Sequence, residues 1–235
     1  MIPLKDDNPT KKKTFVRLII VILCSLIFLF QISSDTNYLI QYYGFKPLSL
    51  FSFDYDLPTF IPLLTLVTSM FMHGGWLHFL GNMIYLWIFG DNVEDSIGYK
   101  KFTVFYISSG IFACFAQAVG DINSNIPMIG ASGAIAGILG AYFYLFPKAK
   151  ILVLVPVIIF FFTVRLPAFI VLGFWFILQF LNFSLLADGS SNVAWLAHIG
   201  GFIYGLLYAS LFIKKNKRKR GKSIMPKKKN PWNKN

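Results

Sequence analysis

Charge is scarce in this chain. Asp, Glu, Lys and Arg supply 14% of its 235 residues while 56% are hydrophobic, whereas a soluble globular domain carries about a quarter charged residues. A chain of this make-up cannot cover its own core with polar surface, so water is excluded as its main solvent. Cysteine is nearly absent: Cys24 and Cys114 both lie within apolar runs, which excludes a disulfide framework and a cysteine metal cluster. Histidine is limited to His73, His78 and His198, and the ten carboxylates all fall in tails, loops or the ends of apolar runs. No metal site and no cofactor are expected.

What is present is a series of long apolar runs. A membrane span needs about 20 such residues, with a range of roughly 17–25. Phe15 to Ile32, Thr65 to Gly90, Phe102 to Val119, Ile129 to Phe146, Leu166 to Phe183 and Val193 to Ile213 qualify. The first follows Lys11-Lys12-Lys13 without an obvious small-residue cleavage site, which reads as a retained span and not a removed signal peptide. The segment 151–164 is apolar but only 14 residues long, between Lys148/Lys150 and Arg165. At that length it is expected to be re-entrant or interfacial. The sequence thus reads as an all-α polytopic membrane protein with six transmembrane helices. A tail at 1–14 precedes a membrane domain at 15–213, and a basic tail follows at 214–235.

The formal net charge of +12 resides almost wholly in that last segment, which holds 11 Lys and Arg and no acid. With six spans and both ends cytoplasmic, 21 of the 22 basic residues lie on the inner side, leaving Lys46 outside. Such an asymmetry obeys the positive-inside rule. The tail is expected to rest on anionic headgroups of the cell membrane, and nucleic acid is not an expected partner. Ser33 to Leu64 forms a long, aromatic-rich outer loop.

Polar side chains inside apolar runs are costly and normally face a bundle interior or a wet cavity. His78 and Asn82 stand four apart, on one helix face. Ser132 opens the fourth run in Gly130-Ala131-Ser132-Gly133, and His198 sits in Ala197-His198-Ile199-Gly200-Gly201. Ser132 lies 16 residues before Lys148 and His198 lies 16 before Lys214. At 1.5 Å per residue both sit about 24 Å above the inner boundary of a roughly 30 Å core. A hydrogen bond between a hydroxyl and an imidazole on two helices requires such equal depth. His78, 13 residues before Asp91, comes out somewhat lower, at roughly 20 Å, and Asn82 lower again. Gly133 and Gly137 in the fourth run, and Gly201 and Gly205 in the sixth, offer close helix approach.

At these residues the chain resembles the rhomboid intramembrane serine proteases. The resemblance rests on Met70-Phe71-Met72-His73-Gly74-Gly75-Trp76-Leu77-His78-Phe79-Leu80-Gly81-Asn82, on Gly90-Asp91-Asn92-Val93-Glu94-Asp95, on the Gly-x-Ser-Gly motif at Gly130 to Gly133, and on the histidine motif around His198. It covers roughly residues 38 to 213. It implies a six-helix rhomboid-like bundle, Ser132 as nucleophile, His198 as general base, His78 and Asn82 as the oxyanion-stabilising pair, and a transmembrane protein as substrate. His73 matches a second family histidine, or is an interfacial polar residue. The chain departs from the family pattern in two places. A Trp-Arg pair found in the first outer loop of some members is absent between Ser33 and Leu64. Ala136 stands where many members carry an aromatic that packs on the histidine. With no carboxylate in reach, something else must orient the imidazole. Competing expectations are a catalytically silent binder of transmembrane helices, a small transporter using the same polar residues, and a membrane acyltransferase or lipase.

Overall fold

The computed structural model describes residues 1–51, 61–157, 160–185 and 193–213. The basic tail at 214–235, part of the Ser33 to Leu64 loop and Asp188 lie outside the described residues. Strand β1 (Ile2–Asp6) leads into helix α1 (Val16–Ile32), followed by the short helices α2 (Thr36–Tyr43) and α3 (Pro47–Phe51). Helix α4 (Pro62–Thr68) runs through a 3-10 turn at Ser69–Phe71 to α5 (Trp76–Ile97), and α6 (Tyr99–Gly120) follows. Helix α7 (Ser132–Leu145), strands β2 (Lys150–Val157) and β3 (Phe160–Pro167), α8 (Ala168–Leu185) and α9 (Trp195–Phe212) complete the fold.

Among the described residues, α6, α8 and α9 are long and apolar enough to cross a membrane, and Pro62–Phe71 with Trp76–Ile97 makes a fourth if that bent pair counts as one span. Helices α1 and α7 are apolar but shorter. The chain is a mostly helical, multi-pass membrane protein. Large apolar side chains face outward along α1 and α8, as they must where the surroundings are hydrocarbon.

Two expectations need correction. The continuous second span from Thr65 to Gly90 is broken, because the chain turns by 82° between Pro62–Phe71 and Trp76–Ile97. Gly74 and Gly75 stand at the break, and the side chain of Gln31 braces it. The Gln31 amide accepts from the His73 N–H at 3.0 Å and donates to the His73 carbonyl at 3.3 Å, satisfying both backbone groups there.

The second correction concerns the all-α class. The described residues of 151–164 lie in strands β2 and β3, and β2 pairs antiparallel with β3 and with β1 in the order β1-β2-β3. The β-branched residues Ile151, Val153, Val155 and Val157 favour extended backbone, and Pro156 would interrupt a helix. Ile151 and Val153 are buried while their neighbours are less so, the alternation of a half-covered strand.

The first residues are therefore tied down and not a free tail. The Glu94 carboxylate, buried near the C-terminal end of α5, accepts from the N–H groups of Phe15, Val16 and Arg17 at 2.9–3.0 Å. It thereby caps a helix that has no N-cap side chain of its own. Asp95 accepts from the N–H groups of Lys11 and Lys12. Asp6 accepts from the Tyr142 hydroxyl at 2.5 Å and the Asn92 amide at 3.0 Å.

Burial pushes the Asp6 carboxyl up to about 6, against the lowering effect of the Tyr142 hydroxyl. Because its folded value lies above the ordinary carboxylate value of about 4, the folded state binds the proton more tightly. The contribution of this group to stability is then fully present below pH about 4 and is lost as pH rises through about 6. Asp6→Asn keeps an oxygen for both hydrogen bonds and removes the ionisation. Its thermal midpoint is expected to lose this pH 4–6 dependence and to exceed wild type at pH 7.5 by the equivalent of about 1 kcal/mol, after allowing for solvent screening of a half-buried group. Melting curves of both proteins across pH 4–8 check this.

Candidate active site

Helix α7 is the innermost element. Its residues from Gly133 through Tyr142 are all buried, between α6 on one side and α9 on the other. The approach to α9 is backbone on backbone. A Cβ placed on Gly201 would lie 2.2 Å from the Gly133 carbonyl oxygen, and one on Gly205 would lie 1.8 Å from that of Gly137. No side chain fits there, so Gly201 and Gly205 let α9 close on α7, while Gly133 and Gly137 clear α6, where a Cβ would lie 2.6 Å from Ala113 Cβ and 2.5 Å from Ser109 Oγ.

This contact sets one hydroxyl against one imidazole. Ser132 is the first residue of α7, and its Oγ lies 2.9 Å from Nε2 of His198 on α9. The peptide enters α7 through Gly130, whose φ of 119° disfavours other residues. A Cβ at Gly130 would sit 2.6 Å from Nε2 of His78 and 3.7 Å from Ser132 Oγ. The His78 ring and the serine hydroxyl thus flank the same point. Beside them is a cavity of about 10 Å³ lined by Ser69, Gly110, Ala113, Gly130, Ser132 and Ala197, room for about one water.

The remaining sequence-selected residues fall in different places. Asn82 lies one turn further along α5, and its Nδ2 donates to the His78 carbonyl at 2.8 Å, a bond within its own helix. His73 is fully buried, with neither ring nitrogen hydrogen-bonded among the described residues. It packs edge-on against Phe28, Phe79 and His78. That is a core position, which replaces the interfacial alternative. His78 accepts at Nδ1 from the Gly74 N–H at 3.3 Å, leaving Nε2 toward Gly130 and Ser132.

Two groups on α8 were missed by sequence reasoning. Gln179 is buried and its Oε1 lies 2.8 Å from Nδ1 of His198, while its Nε2 donates to the Trp175 carbonyl at 3.0 Å. The Trp175 ring lies 5.8 Å from the His198 ring and the Trp195 ring 6.1 Å, the latter edge-on. Aromatic cover for the imidazole therefore comes from α8 and the start of α9, while position 136 is an alanine. The available signal was polarity, since Gln179 and Asn182 are the strongly polar side chains of the Leu166 to Phe183 run.

A helix-borne serine hydrogen-bonded to a histidine, buried among membrane-crossing helices, defines a class of proteins that comparison makes specific. The rhomboid domain model matches residues 62–215, and the chain belongs to the rhomboid family. It is 29% identical over 174 residues to rhomboid protein 1, mitochondrial, of Saccharomyces cerevisiae, covering 67% of this chain and 45% of that protein. It is 26% identical over 148 residues to the human presenilin-associated rhomboid-like protein, mitochondrial, covering 62% and 37%. A Bacillus subtilis protein named as a candidate rhomboid protease is 27% identical over 163 residues, 66% of this chain and 69% of that protein. The chain spans less than half the length of the yeast and human relatives.

Proposed function

We propose that this chain is an intramembrane serine endopeptidase that cleaves membrane-anchored proteins in or near their transmembrane segments. The observation that carries the reading is the 2.9 Å contact between Ser132 Oγ and His198 Nε2 across two helices. Ser132 attacks the scissile carbonyl as His198 takes its proton, and the imidazolium then returns that proton to the leaving amine. Water releases the acyl group by the reverse sequence. Charge on the tetrahedral oxygen is met by the Ser132 backbone N–H, which is free in the first turn of α7, by the α7 dipole and by Nε2–H of His78. Asn82 keeps one amide hydrogen beyond its bond to the His78 carbonyl and completes the set once substrate is bound.

The same reading gives six spans at 15–213, with α1 and α7 as the short members, both termini cytoplasmic in the cell membrane, and the 214–235 tail on anionic headgroups. A substrate helix must unwind locally at the cut, because an intact helix holds its carbonyls in hydrogen bonds.

A fluorophosphonate probe tests the serine chemistry directly. Wild type is expected to label at Ser132, mapped by mass spectrometry, and His198→Ala is expected to lose at least about 100-fold in labelling rate. Equal labelling of both proteins, or a label elsewhere, would point to a binder of transmembrane helices or a transporter.

A further inference from the structure

We propose that Gln179 is a positioning residue that fixes the tautomer of His198, leaving the Nε2 lone pair facing Ser132. The proposal rests on the protease reading for its consequence, but the device itself can be observed without turnover. The Trp175 carbonyl oxygen can only accept, and it lies 3.0 Å from one end of the Gln179 amide. That end must therefore be the NH₂ group, because an oxygen there would set two acceptors against each other at 3.0 Å with no hydrogen between them. The other end, 2.8 Å from Nδ1 of His198, is then the carbonyl oxygen, which can only accept. Nδ1 must carry the hydrogen. In a neutral imidazole Nε2 is then the bare nitrogen, and it is the atom 2.9 Å from Ser132 Oγ.

The opposite tautomer would place a hydrogen on Nε2 and point it at the hydroxyl, so His198 could not accept the serine proton. Reaching it requires flipping the Gln179 amide, which opposes the Trp175 carbonyl and the amide oxygen. The polarity of a helix backbone is thereby passed through one neutral side chain to the reacting nitrogen. Gln179 is held in that role by burial, and it is among the few α8 residues turned inward. The Trp175 ring, one turn away on the same helix, lies against the same imidazole, so α8 restrains His198 by both a ring contact and a hydrogen bond. In the serine protease triad a carboxylate does this work, and presenting the wrong tautomer there costs about 10⁴-fold in turnover. A neutral amide adds no charge to stabilise the imidazolium. Its removal leaves the ring free to sample both tautomers and not locked in the wrong one, so a smaller loss of about 10–100-fold is expected.

The test uses full-length protein with ¹⁵N-labelled histidine in micelles, where the two tautomers give distinct ring-nitrogen shifts. The sequence has three histidines, and the spectrum of His198→Ala identifies the signals to follow. Wild type is expected to show Nδ1–H at His198. Gln179→Met, close in volume but without an acceptor oxygen, is expected to show a mixture, with kcat lowered about 10–100-fold and KM within about twofold. Gln179→Glu, protonated so that its hydroxyl donates to the Trp175 carbonyl, is expected to restore both the Nδ1–H signal and most of kcat, since its other oxygen still accepts from Nδ1. If Gln179→Met does not fold, the wild-type and Gln179→Glu spectra still decide.

An Nε2–H tautomer in wild type overturns the proposal, as does an unchanged Nδ1–H signal in a folded Gln179→Met protein. A rise in KM with kcat intact assigns Gln179 to substrate binding and overturns it too. Should the spectra follow expectation while wild type neither labels nor cleaves, the tautomer device stands and the protease reading fails.

Discussion

Ser132→Ala is expected to abolish cleavage of a tagged transmembrane substrate, lowering kcat by about 10⁴–10⁶-fold with little change in KM. In the proposed mechanism the hydroxyl makes a covalent bond in the first chemical step, and a methyl group offers nothing in its place. His198→Ala is expected to fall in the same range. Without the imidazole the Ser132 proton has no acceptor at Oγ, where His198 Nε2 now stands at 2.9 Å. The double variant should be no worse than either single one, because the two residues act as one unit. Quantified cleavage with the cut mapped by mass spectrometry reads all three. Cleavage by Ser132→Ala within tenfold of wild type would remove the serine from the mechanism.

Gly205→Ala is expected to damage both fold and activity. The added methyl would stand 1.8 Å from the Gly137 carbonyl oxygen and 2.7 Å from the Gly137 Cα. These are backbone atoms in the middle of a buried helix, so no side chain can swing away. To reach ordinary contact α7 and α9 must separate by more than about 1 Å, and overpacking on this scale costs roughly 1–3 kcal/mol or more. The hydroxyl and the imidazole ride on those two helices, one on each. A misplacement of about 1 Å lowers rates by about 10²-fold, so kcat is expected to fall at least that far in whatever protein remains folded. Gly81→Ala is the matched control. It lies on α5 with nothing within 4 Å of an added Cβ, and alanine in a helix interior should gain about 0.5–1 kcal/mol. Thermal or denaturant unfolding in detergent compares the two, and equal stability would mean that the α7–α9 contact is looser than described.

Much of this arrangement could be read from residue spacing. Equal distances from Ser132 and His198 to the next basic cluster put them at one level, and the hydrogen bond between them is the structural counterpart of that count. The glycine pairs on the two runs announced the close contact. His78 came out lower when counted to Asp91, but helix α5 continues to Ile97, and those six further residues add about 9 Å and overshoot the level of Ser132, so spacing alone does not place His78. Other features were illegible for physical reasons. Gln179 and Gln31 each make contacts across helices distant in sequence, and an amide in an apolar run does not say whom it meets. The segment 151–164 is short, apolar and β-branched, and its length favours a re-entrant or interfacial reading, whereas the β-branched alternation on β2 is the strand signal. The break before Trp76 depends on Gln31 filling the place of missing backbone partners, which no local pattern encodes. The acidic pair Glu94 and Asp95 belonged to a recognised motif. Their purpose, holding the entry to α1, emerges only from the fold.

Tyr142 ends that chain of dependence. It lies ten residues beyond Ser132 on one rigid helix, a rise of about 15 Å, and its hydroxyl is fastened to Asp6 in β1. Strand β1 is thus joined by one hydrogen bond to the helix that carries the proposed nucleophile. Peeling that strand away from its sheet would pull on the far end of a rod whose tip bears the Ser132 hydroxyl.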